Sequence, residues 1–245
     1  MRREYVTKKY VKLKDDKIKI DGTTLYRIVA VENFGDVRAG ELGGYIQTVK
    51  NLSQEGNCWV YDKAIVKDYA FVGDDATVRG NSMICGNALV VHKAQISGNA
   101  VICNGASIYG NAKVCQHGYV EDKASVYDNA VISGNAIINE NAIVCGDAKI
   151  FGPHIISENG FITNNTSCIS IGPITDNEYK YITLYLNNRG HILCRIENCV
   201  IPIEQLNVII NNLPSNLSKY KDDLLFIDNN IDYYTKKLHC DYKED

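Results

Sequence analysis

The stretch DNAVISGNAIINENAIVCGDAKIF, residues 128–151, repeats one phrase every six residues. Each phrase has two turn-forming residues, then alanine, then a variable residue, and then valine or isoleucine. Read in the same frame from Gly56, the pattern fills 18 consecutive hexads over residues 56–163 without an insertion. The fifth position is Val or Ile in all 18 hexads and the third is Ala in 13, so the period of six indicates a repeat architecture.

A six-residue period fits neither an α-helix nor an isolated strand, whose apolar residues recur at 3.6 and 2. Side chains alternate along a strand, so the third and fifth positions share one face. The first two positions are mostly Gly, Asn or Asp, which tolerate tight turns. Each hexad therefore predicts a short strand and a corner, and three hexads predict one triangular coil. Six coils stacked about 4.8 Å apart would form a rod roughly 29 Å long.

Residues 56–163 resemble the hexapeptide-repeat, left-handed parallel β-helix superfamily. The resemblance implies left-handed winding and a homotrimer. Glycine often falls one place later here than in the familiar hexapeptide pattern, as in Ser133-Gly134-Asn135-Ala136. The Gly-Asn-Ala style is similar to that of uncharacterised phage and prophage repeat proteins, as are the flanking segments 40–46 and 169–174. Fold resemblance of this kind says little about function.

The segments on either side of the repeat have different patterns. Residues 1–55 predict a β-rich N-terminal cap, because Lys17–Ile20 alternates, Asp21-Gly22 is a hairpin turn signal and an apolar strand follows. The β-helix itself is expected over residues 56–169. Residues 170–245 predict a C-terminal module, with a hairpin turning at 187–190 and two helices over 202–213 and 218–239.

The fourth position of each hexad points outward and defines three faces. The first face is mixed, and the second is an unbroken apolar stripe that a soluble monomer rarely exposes. We expect the second and third faces to lie near the axis of a trimer, with cover by the chain's own termini as the alternative. The outward residues are Trp59, Thr77, Gln95, Lys113, Val131 and Lys149 on the first face, Ile65, Met83, Val101, Tyr119, Ile137 and Ile155 on the second, and Phe71, Leu89, Ser107, Ser125, Ile143 and Phe161 on the third.

Net charge, apolar segments and cysteine content indicate the cellular compartment. The net charge of −3 gives no general attraction to nucleic acid or anionic membranes. The N-terminus lacks the apolar core of a secretory signal, and no stretch is long enough to span a bilayer. We therefore expect a cytoplasmic protein of a bacterial host cell with reduced thiols and no metal site. The nine cysteines are odd in number and include no CxxC pair, although Cys85 and Cys103 lie one coil apart.

Resemblance to the hexapeptide family raises an enzymatic hypothesis. Many of its members are acyltransferases using acetyl-CoA or an acyl carrier, with a histidine base at a subunit junction and a loop that interrupts the repeat. A histidine titrating near pH 7 suits the removal of a proton from the attacking hydroxyl or amine. His92 and His117 fall at corners, whereas His154 replaces a small inward residue. No loop interrupts the 108 residues of repeat, which argues against a transferase.

A non-catalytic binding role without a cofactor is the preferred hypothesis. Grooves between rods of a trimer, or a pocket where the C-terminal module meets the rod, could hold a small anionic, nucleotide-like ligand. Given the phage-like style, sequestration of a nucleotide signal of bacterial immunity is one specific form of this hypothesis. A purely structural scaffold is the third alternative. The candidate ligand-binding residues are Arg79, Lys113, His117, Tyr119, Arg189 and Arg195.

Overall fold

The computed structural model describes residues 8–165, 168–171, 181–197, 199–213, 215 and 217–239, and the fold is mainly β. The hexads form the predicted parallel β-solenoid, with one short strand per hexad and three faces per coil. The strands are β4 (Trp59–Val60), β7 (Thr77–Val78), β10 (Gln95–Ile96), β13 (Lys113–Val114), β16 (Val131–Ser133) and β19 (Lys149–Phe151) on the first face, β5 (Ile65–Val66), β8 (Met83–Ile84), β11 (Val101–Ile102), β14 (Tyr119–Val120), β17 (Ile137–Ile138) and β20 (Ile155–Ile156) on the second, and β6 (Phe71–Val72), β9 (Leu89–Val90), β12 (Ser107–Ile108), β15 (Ser125–Val126), β18 (Ile143–Val144) and β21 (Phe161–Ile162) on the third.

Strands on one face pair in parallel with residues 18 positions away, as Ile108 does with both Val90 and Val126. The side chains of these three residues are completely buried. The third-position alanines lie beside them in the same core, where the prism narrows toward a corner. The predicted packing of one small and one branched inward residue per hexad is confirmed.

The corners use a left-handed backbone at the first position of every hexad. All 18 of these residues have φ between +52° and +93°, and ten of them are not glycine. In eight of those ten, the side chain accepts a hydrogen bond from the backbone N–H of the corner one coil further on, as Asp62 does from Gly80 at 2.8 Å. Short polar side chains that bond to nearby backbone tolerate this conformation best. The corners therefore form hydrogen-bonded columns along the rod.

The N-terminal cap is built on the predicted hairpin. β1 (Tyr10–Ile20) and β2 (Thr23–Ala30) pair antiparallel around Asp21-Gly22, both of which have positive φ. β3 (Leu42–Ile46) pairs antiparallel with β2 and parallel with β5, so the cap sheet continues into the second face as one nine-stranded sheet. A 3₁₀ turn at Val49–Asn51 follows. Parallel stacking thus begins before the first hexad, and Leu52 adds a bridge to Val72 on the third face.

The cap buries the first outward residue of the first face. The ring centroid of Trp59 lies 6.0 Å from that of Tyr10 and 5.4 Å from that of Phe34, both in edge-to-face arrangements. Lys9 is also buried, and its Nζ donates to three backbone carbonyls between residues 55 and 58. Aromatic packing and a carbonyl-bound ammonium therefore close the N-terminal end of the rod.

The C-terminal module begins with a four-stranded antiparallel sheet. Its strands, in spatial and chain order, are β22 (Cys168–Ile171), β23 (Ile182–Leu186), β24 (Ile192–Ile196) and β25 (Cys199–Pro202). β23 and β24 confirm the predicted hairpin. β22 includes the predicted boundary between residues 169 and 170. Residues 172–174 of the phage-like flank, and Cys240, lie outside the described part of the chain.

The helical prediction for the C-terminus is wrong in its details. The helix expected over 202–213 is a 3₁₀ turn at Ile203–Gln205 followed by α1 (Leu206–Ile210). The single helix expected over 218–239 is a 3₁₀ turn at Ser218–Tyr220, then α2 (Lys221–Asn229), then α3 (Ile231–Leu238). Asn230 breaks it, with φ −117° and ψ 21° and its Nδ2 donating to the Phe226 carbonyl. Asparagine bonds to nearby backbone and so competes with helix continuation.

These helices pack on the C-terminal sheet through a second hydrophobic core that includes Leu184, Leu206 and Ile227. Tyr185 and Leu193 instead join the core of the solenoid, which attaches the module to the end of the rod. None of the described helices is long and apolar enough to cross a bilayer.

Candidate functional site at the end of the solenoid

The outward residues of the second face form the predicted apolar stripe: Ile65, Met83, Val101, Tyr119, Ile137 and Ile155. Its two ends are covered by the chain's own flanks. Ile65 is buried beside Tyr45 of β3, with which it pairs. At the opposite end, Ile137 and Ile155 face the C-terminal sheet across a cavity. The residues between these ends, such as Val101, are only half-buried.

The cavity at the C-terminal end has a volume of about 280 Å³. Two successive coils form one wall, and β23 and β24 with the residues beside them form the other. It is the pocket between rod and module that the sequence suggested. The lining residues are Asn135, Ile137, Pro153, Ile155, Tyr181, Thr183, Arg195 and Glu197.

Regular backbone spacing accounts for how these residues meet. Ile137 and Ile155 are parallel neighbours, so their side chains stack on the outer surface of the rod. Thr183 and Arg195 are direct partners across β23 and β24. Glu197 follows directly after the end of β24, has a positive φ and also lines the cavity. The wall on the rod is largely apolar, and the wall on the sheet is polar and charged.

Arg195 is the cation of this cavity, and it is half-buried. Its Nη1 donates to Ser157 Oγ, while its Nε is buried with no hydrogen-bond partner. Ser157 is itself buried and also hydrogen-bonds the Tyr185 hydroxyl at 3.1 Å. Burial raises the pKa of Tyr185, so its phenol is neutral at pH 7. Tyr185 therefore provides no negative charge to balance the Arg195 guanidinium. An arginine N–H without an acceptor is costly where water is excluded.

Glu197 carries the opposite charge in the same cavity. Its Oε1 accepts a hydrogen bond from the Tyr220 hydroxyl at 2.7 Å, which holds the carboxylate toward the helices. Asn135 and Thr183 add neutral donors and acceptors to the lining. Apolar walls with a few polar groups of fixed position are typical of small-molecule sites.

His154 lies close to this region but has a structural role. Its Nδ1 hydrogen-bonds Ser170 Oγ, which joins the last coil to β22. Burial lowers the pKa of His154 below its ordinary value, so the imidazole is neutral at pH 7. The sequence placed this residue at an inward position, where it replaces alanine; the structure pairs it with a hydroxyl.

The other proposed ligand-binding residues do not converge with Arg195 on the cavity. Arg79 lies at the cap, where its Cζ is 3.5 Å from the centroid of the Tyr61 ring and its Nη2 is 3.2 Å from Asp36 Oδ2. Lys113 is exposed on the first face, and Arg189 is exposed in the hairpin turn. Of the basic candidates, Arg195 alone lines this cavity, and Arg79, Lys113 and Arg189 lie at other places on the rod and the hairpin.

His117 and Tyr119 lie closer to the cavity, one coil before Asn135 and Ile137 in the same columns. His117 is exposed at its corner, and its Nε2 is 3.3 Å from Asn99 Nδ2. Tyr119 is half-buried in the stripe, and its hydroxyl is 3.3 Å from Cys103 Sγ. Neither residue lines the cavity.

Sequence reasoning missed Asn135, Pro153, Tyr181, Thr183 and Glu197 as lining residues. Asn135 belongs to a Gly-Asn corner that looks like every other corner in the repeat. Thr183 gains its position only from the register between β23 and β24, and Glu197 gains its position from the turn that follows β24. The alternation of polar and apolar residues at 181–186 and 192–197 was the available signal for a strand face that carries polar groups.

Comparisons with known proteins give resemblances that each cover only part of the chain. The family model described as YdcK Beta solenoid repeat matches residues 132–146. The chain is also similar to "Uncharacterized acetyltransferase YdcK" of Escherichia coli (strain K12), with 41% identity over 69 residues. That match covers 26% of this chain and 21% of the relative's length. The family-model match agrees with the solenoid fold. Because the relative is named as an acetyltransferase, the surroundings of the histidines matter, since a histidine could act as a catalytic base.

His92 hydrogen-bonds its corner column through one ring nitrogen. Its Nδ1 accepts a hydrogen bond from the Gly110 backbone N–H at 3.3 Å, which places the ring proton on Nε2. Nε2 is 4.0 Å from Asp74 Oδ2. His92 thus joins the corner column through Nδ1, and its side chain is largely exposed. Among the described residues, no group of three or more His, Cys, Asp or Glu side chains could hold a metal ion.

Proposed function

We propose that the chain is a non-catalytic β-solenoid that binds a small anionic ligand in the cavity between the rod and the C-terminal sheet. The observation that carries this proposal is the buried Arg195 Nε, which has no acceptor although the residue lines the cavity. A carboxylate or phosphate oxygen would supply that acceptor and match the positive charge. Glu197, which follows the end of the same strand and also lines the cavity, favours a ligand that carries a hydroxyl or amino donor as well.

Size restricts the class of ligand further. The cavity volume of about 280 Å³ is near the lower end of the range of roughly 300–1,000 Å³ typical of small-molecule sites. A sugar phosphate or mononucleotide is a better match than a cyclic dinucleotide. In a bacterial cytoplasm, a protein of this kind would lower the free concentration of such a molecule, and a nucleotide signal of host immunity is the specific candidate.

Arg195→Gln is expected to weaken binding of the preferred anion at least tenfold, because glutamine keeps hydrogen-bonding capacity but loses the charge. A charged hydrogen bond contributes about 1.5–3 kcal/mol, and 1.4 kcal/mol corresponds to a factor of ten. Thermal shift would first rank phosphate, ribose 5-phosphate, mononucleotides, nucleotide-ribose compounds, cyclic dinucleotides and acetyl-CoA. Calorimetry would then give dissociation constants for the wild type and the variant.

Arg189→Gln is the matched control, because Arg189 is an exposed arginine on the same hairpin. It should bind the ligand as the wild type does. Equal loss of affinity in both variants would show that only net charge matters, and the absence of a thermal shift with every compound would refute the cavity as an anion site.

An acyltransferase is the second candidate, favoured by the similarity to the relative named as an uncharacterised acetyltransferase. The same ligand panel separates the two functions. An acetyltransferase would bind acetyl-CoA and release CoA in the presence of an acceptor, and release would be lost on replacing His92 or His117 with alanine. Binding of a mononucleotide without CoA release would favour the non-catalytic function.

We also propose that the half-exposed middle of the apolar stripe packs against further copies of the chain in a homotrimer. Val101→Glu, in the middle of the stripe, is expected to shift the protein from trimer to monomer, because an interfacial carboxylate without a partner is costly to bury. Light scattering after size exclusion gives the mass. Gln95→Glu, an exposed outward residue on the first face, should stay trimeric. A monomeric wild type would contradict this assembly without affecting the cavity.

A further inference from the structure

Cys85 and Cys103 are stacked thiols at the corner that follows the second face. They are separated by 18 residues, which places them at the same position in two successive coils. No other two of the eight described cysteines are separated by 18 residues, and all eight are free thiols. The side chain of Cys103 is buried, whereas that of Cys85 is partly exposed. This pair has no part in the cavity.

The register of the coils brings the two thiols within bonding reach. Met83 pairs with Val101 and Ile84 with Ile102, and the ladder continues as Cys85 N donates to the Ile102 carbonyl at 2.9 Å. Neighbouring strands lie about 4.8 Å apart. Disulfides usually have Cα atoms about 4.4–6.8 Å apart, so a bond here needs no change of backbone register.

Tyr119 makes the pair asymmetric. Its hydroxyl is 3.3 Å from Cys103 Sγ. Hydrogen bonds from the Cys85 thiol and then from Tyr119 lower the pKa of Cys103 to about 7, against the opposing effect of burial. The same contact between the thiols raises the pKa of Cys85. At pH 7 about half of Cys103 is therefore thiolate, and Cys85 is the protonated thiol beside it.

We propose that Cys85 and Cys103 form a disulfide in response to peroxide, which cross-links the second and third coils. The Cys103 thiolate attacks one oxygen of hydrogen peroxide; an S–O bond forms, the O–O bond breaks, and hydroxide leaves as water after protonation. Cys85 sulfur then attacks the sulfur of the Cys103 sulfenic acid. The S–S bond forms, the S–O bond breaks, and the Cys85 proton leaves with the hydroxide as a second water. Two thiols are oxidised and one peroxide is reduced to two waters.

Trypsin provides a direct readout on the full chain. Cleavage after Arg79, Lys93 and Lys113 gives the peptides 80–93 and 94–113, each with a single cysteine. The intact protein is treated with hydrogen peroxide, its remaining thiols are blocked with iodoacetamide, and the unreduced digest is examined by mass spectrometry. We expect the 80–93 and 94–113 peptides as a linked pair that disappears on reduction. The cross-link should also raise the melting temperature by roughly 5–10 °C.

Two variants separate this pair from general thiol oxidation. Cys103→Ser should abolish the linked peptide and the thermal shift. Cys115→Ser should retain both, because residues 97 and 133, one coil away on either side of Cys115, are serines. Oxidation of Cys103 to sulfinic acid with no linked peptide, or a linked peptide dominated by other cysteines, would overturn the proposal.

Tyr119→Phe tests the activation of Cys103 apart from the geometry. The variant removes the hydroxyl and keeps the ring in the stripe, so the coils should still stack. The wild-type rate of disulfide formation should rise through a midpoint near pH 7, since the thiolate reacts. In the variant, the midpoint should move to higher pH while the final yield of linked peptide is unchanged. An unaltered pH profile would contradict the role of Tyr119.

Discussion

Ile108→Ala is expected to lower the free energy of unfolding by about 2–5 kcal/mol, the range for truncating a buried isoleucine. Ile108 is completely buried and lies between Val90 and Val126 at the centre of the rod. Alanine would leave a cavity that neighbouring coils cannot fill, because their backbones are fixed by hydrogen bonds on both sides. Urea unfolding followed by far-UV circular dichroism measures the loss.

Ser107→Ala is the control, since Ser107 occupies the adjacent outward position and is only partly buried. Its effect should stay within about 0.5 kcal/mol, as for most surface substitutions. Similar losses for the two variants would mean that inward and outward positions are not distinguished in solution, which would contradict the solenoid packing.

Trp59→Ala is expected to destabilise the N-terminal end by about 3–5 kcal/mol, since it removes a fully buried indole. Tyr10 and Phe34 both pack on this ring, so its loss would also expose the apolar surface of the cap. The Trp59 Nε1 has no hydrogen-bond partner, and removing this cost offsets part of the loss. Limited proteolysis should show earlier cleavage before residue 56 than in the wild type.

Gln95→Ala provides the comparison at the same repeat position and on the same face, two coils further along. It is exposed because no cap covers it, and its replacement should change neither the unfolding midpoint nor the protease pattern. Trp59 is the chain's one tryptophan, so its emission reports on the cap in this control. Unchanged proteolysis in Trp59→Ala would show that the cap is held by Lys9 and the β3 pairing instead.

The sequence predicts the repetitive part of this protein well, because one physical rule applies 18 times. Val or Ile must face inward at the fifth position, and any shift of frame would place polar corner residues in the core. The cap hairpin was also readable, since Asp21-Gly22 adopts the backbone that its turn requires. The burial of Trp59 by the cap could not be predicted, because Tyr10 and Phe34 contact its ring through long-range packing that no local sequence pattern encodes.

The candidate site was predicted only in outline. The sequence pointed to a pocket between the rod and the C-terminal module and named Arg195, which lines it. Arg79 was chosen for its charge alone, and the structure uses that charge to hold Asp36 of the cap. The single helix expected over 218–239 failed because Asn230 interrupts it, a local competition that an apolar periodicity does not show. Positions set by non-repeating contacts between distant segments were beyond the reach of sequence patterns.

The uninterrupted 18-residue pairing has an evolutionary consequence. Each coil bonds only to the coils before and after it, so an internal coil can be duplicated or deleted with every remaining ladder still satisfied. Duplication or deletion of 18 residues would change the separation of cap and cavity in steps of about 4.8 Å while leaving both ends intact. The number of coils, and with it the length of the rod, can therefore change in evolution without changing the cap or the C-terminal module.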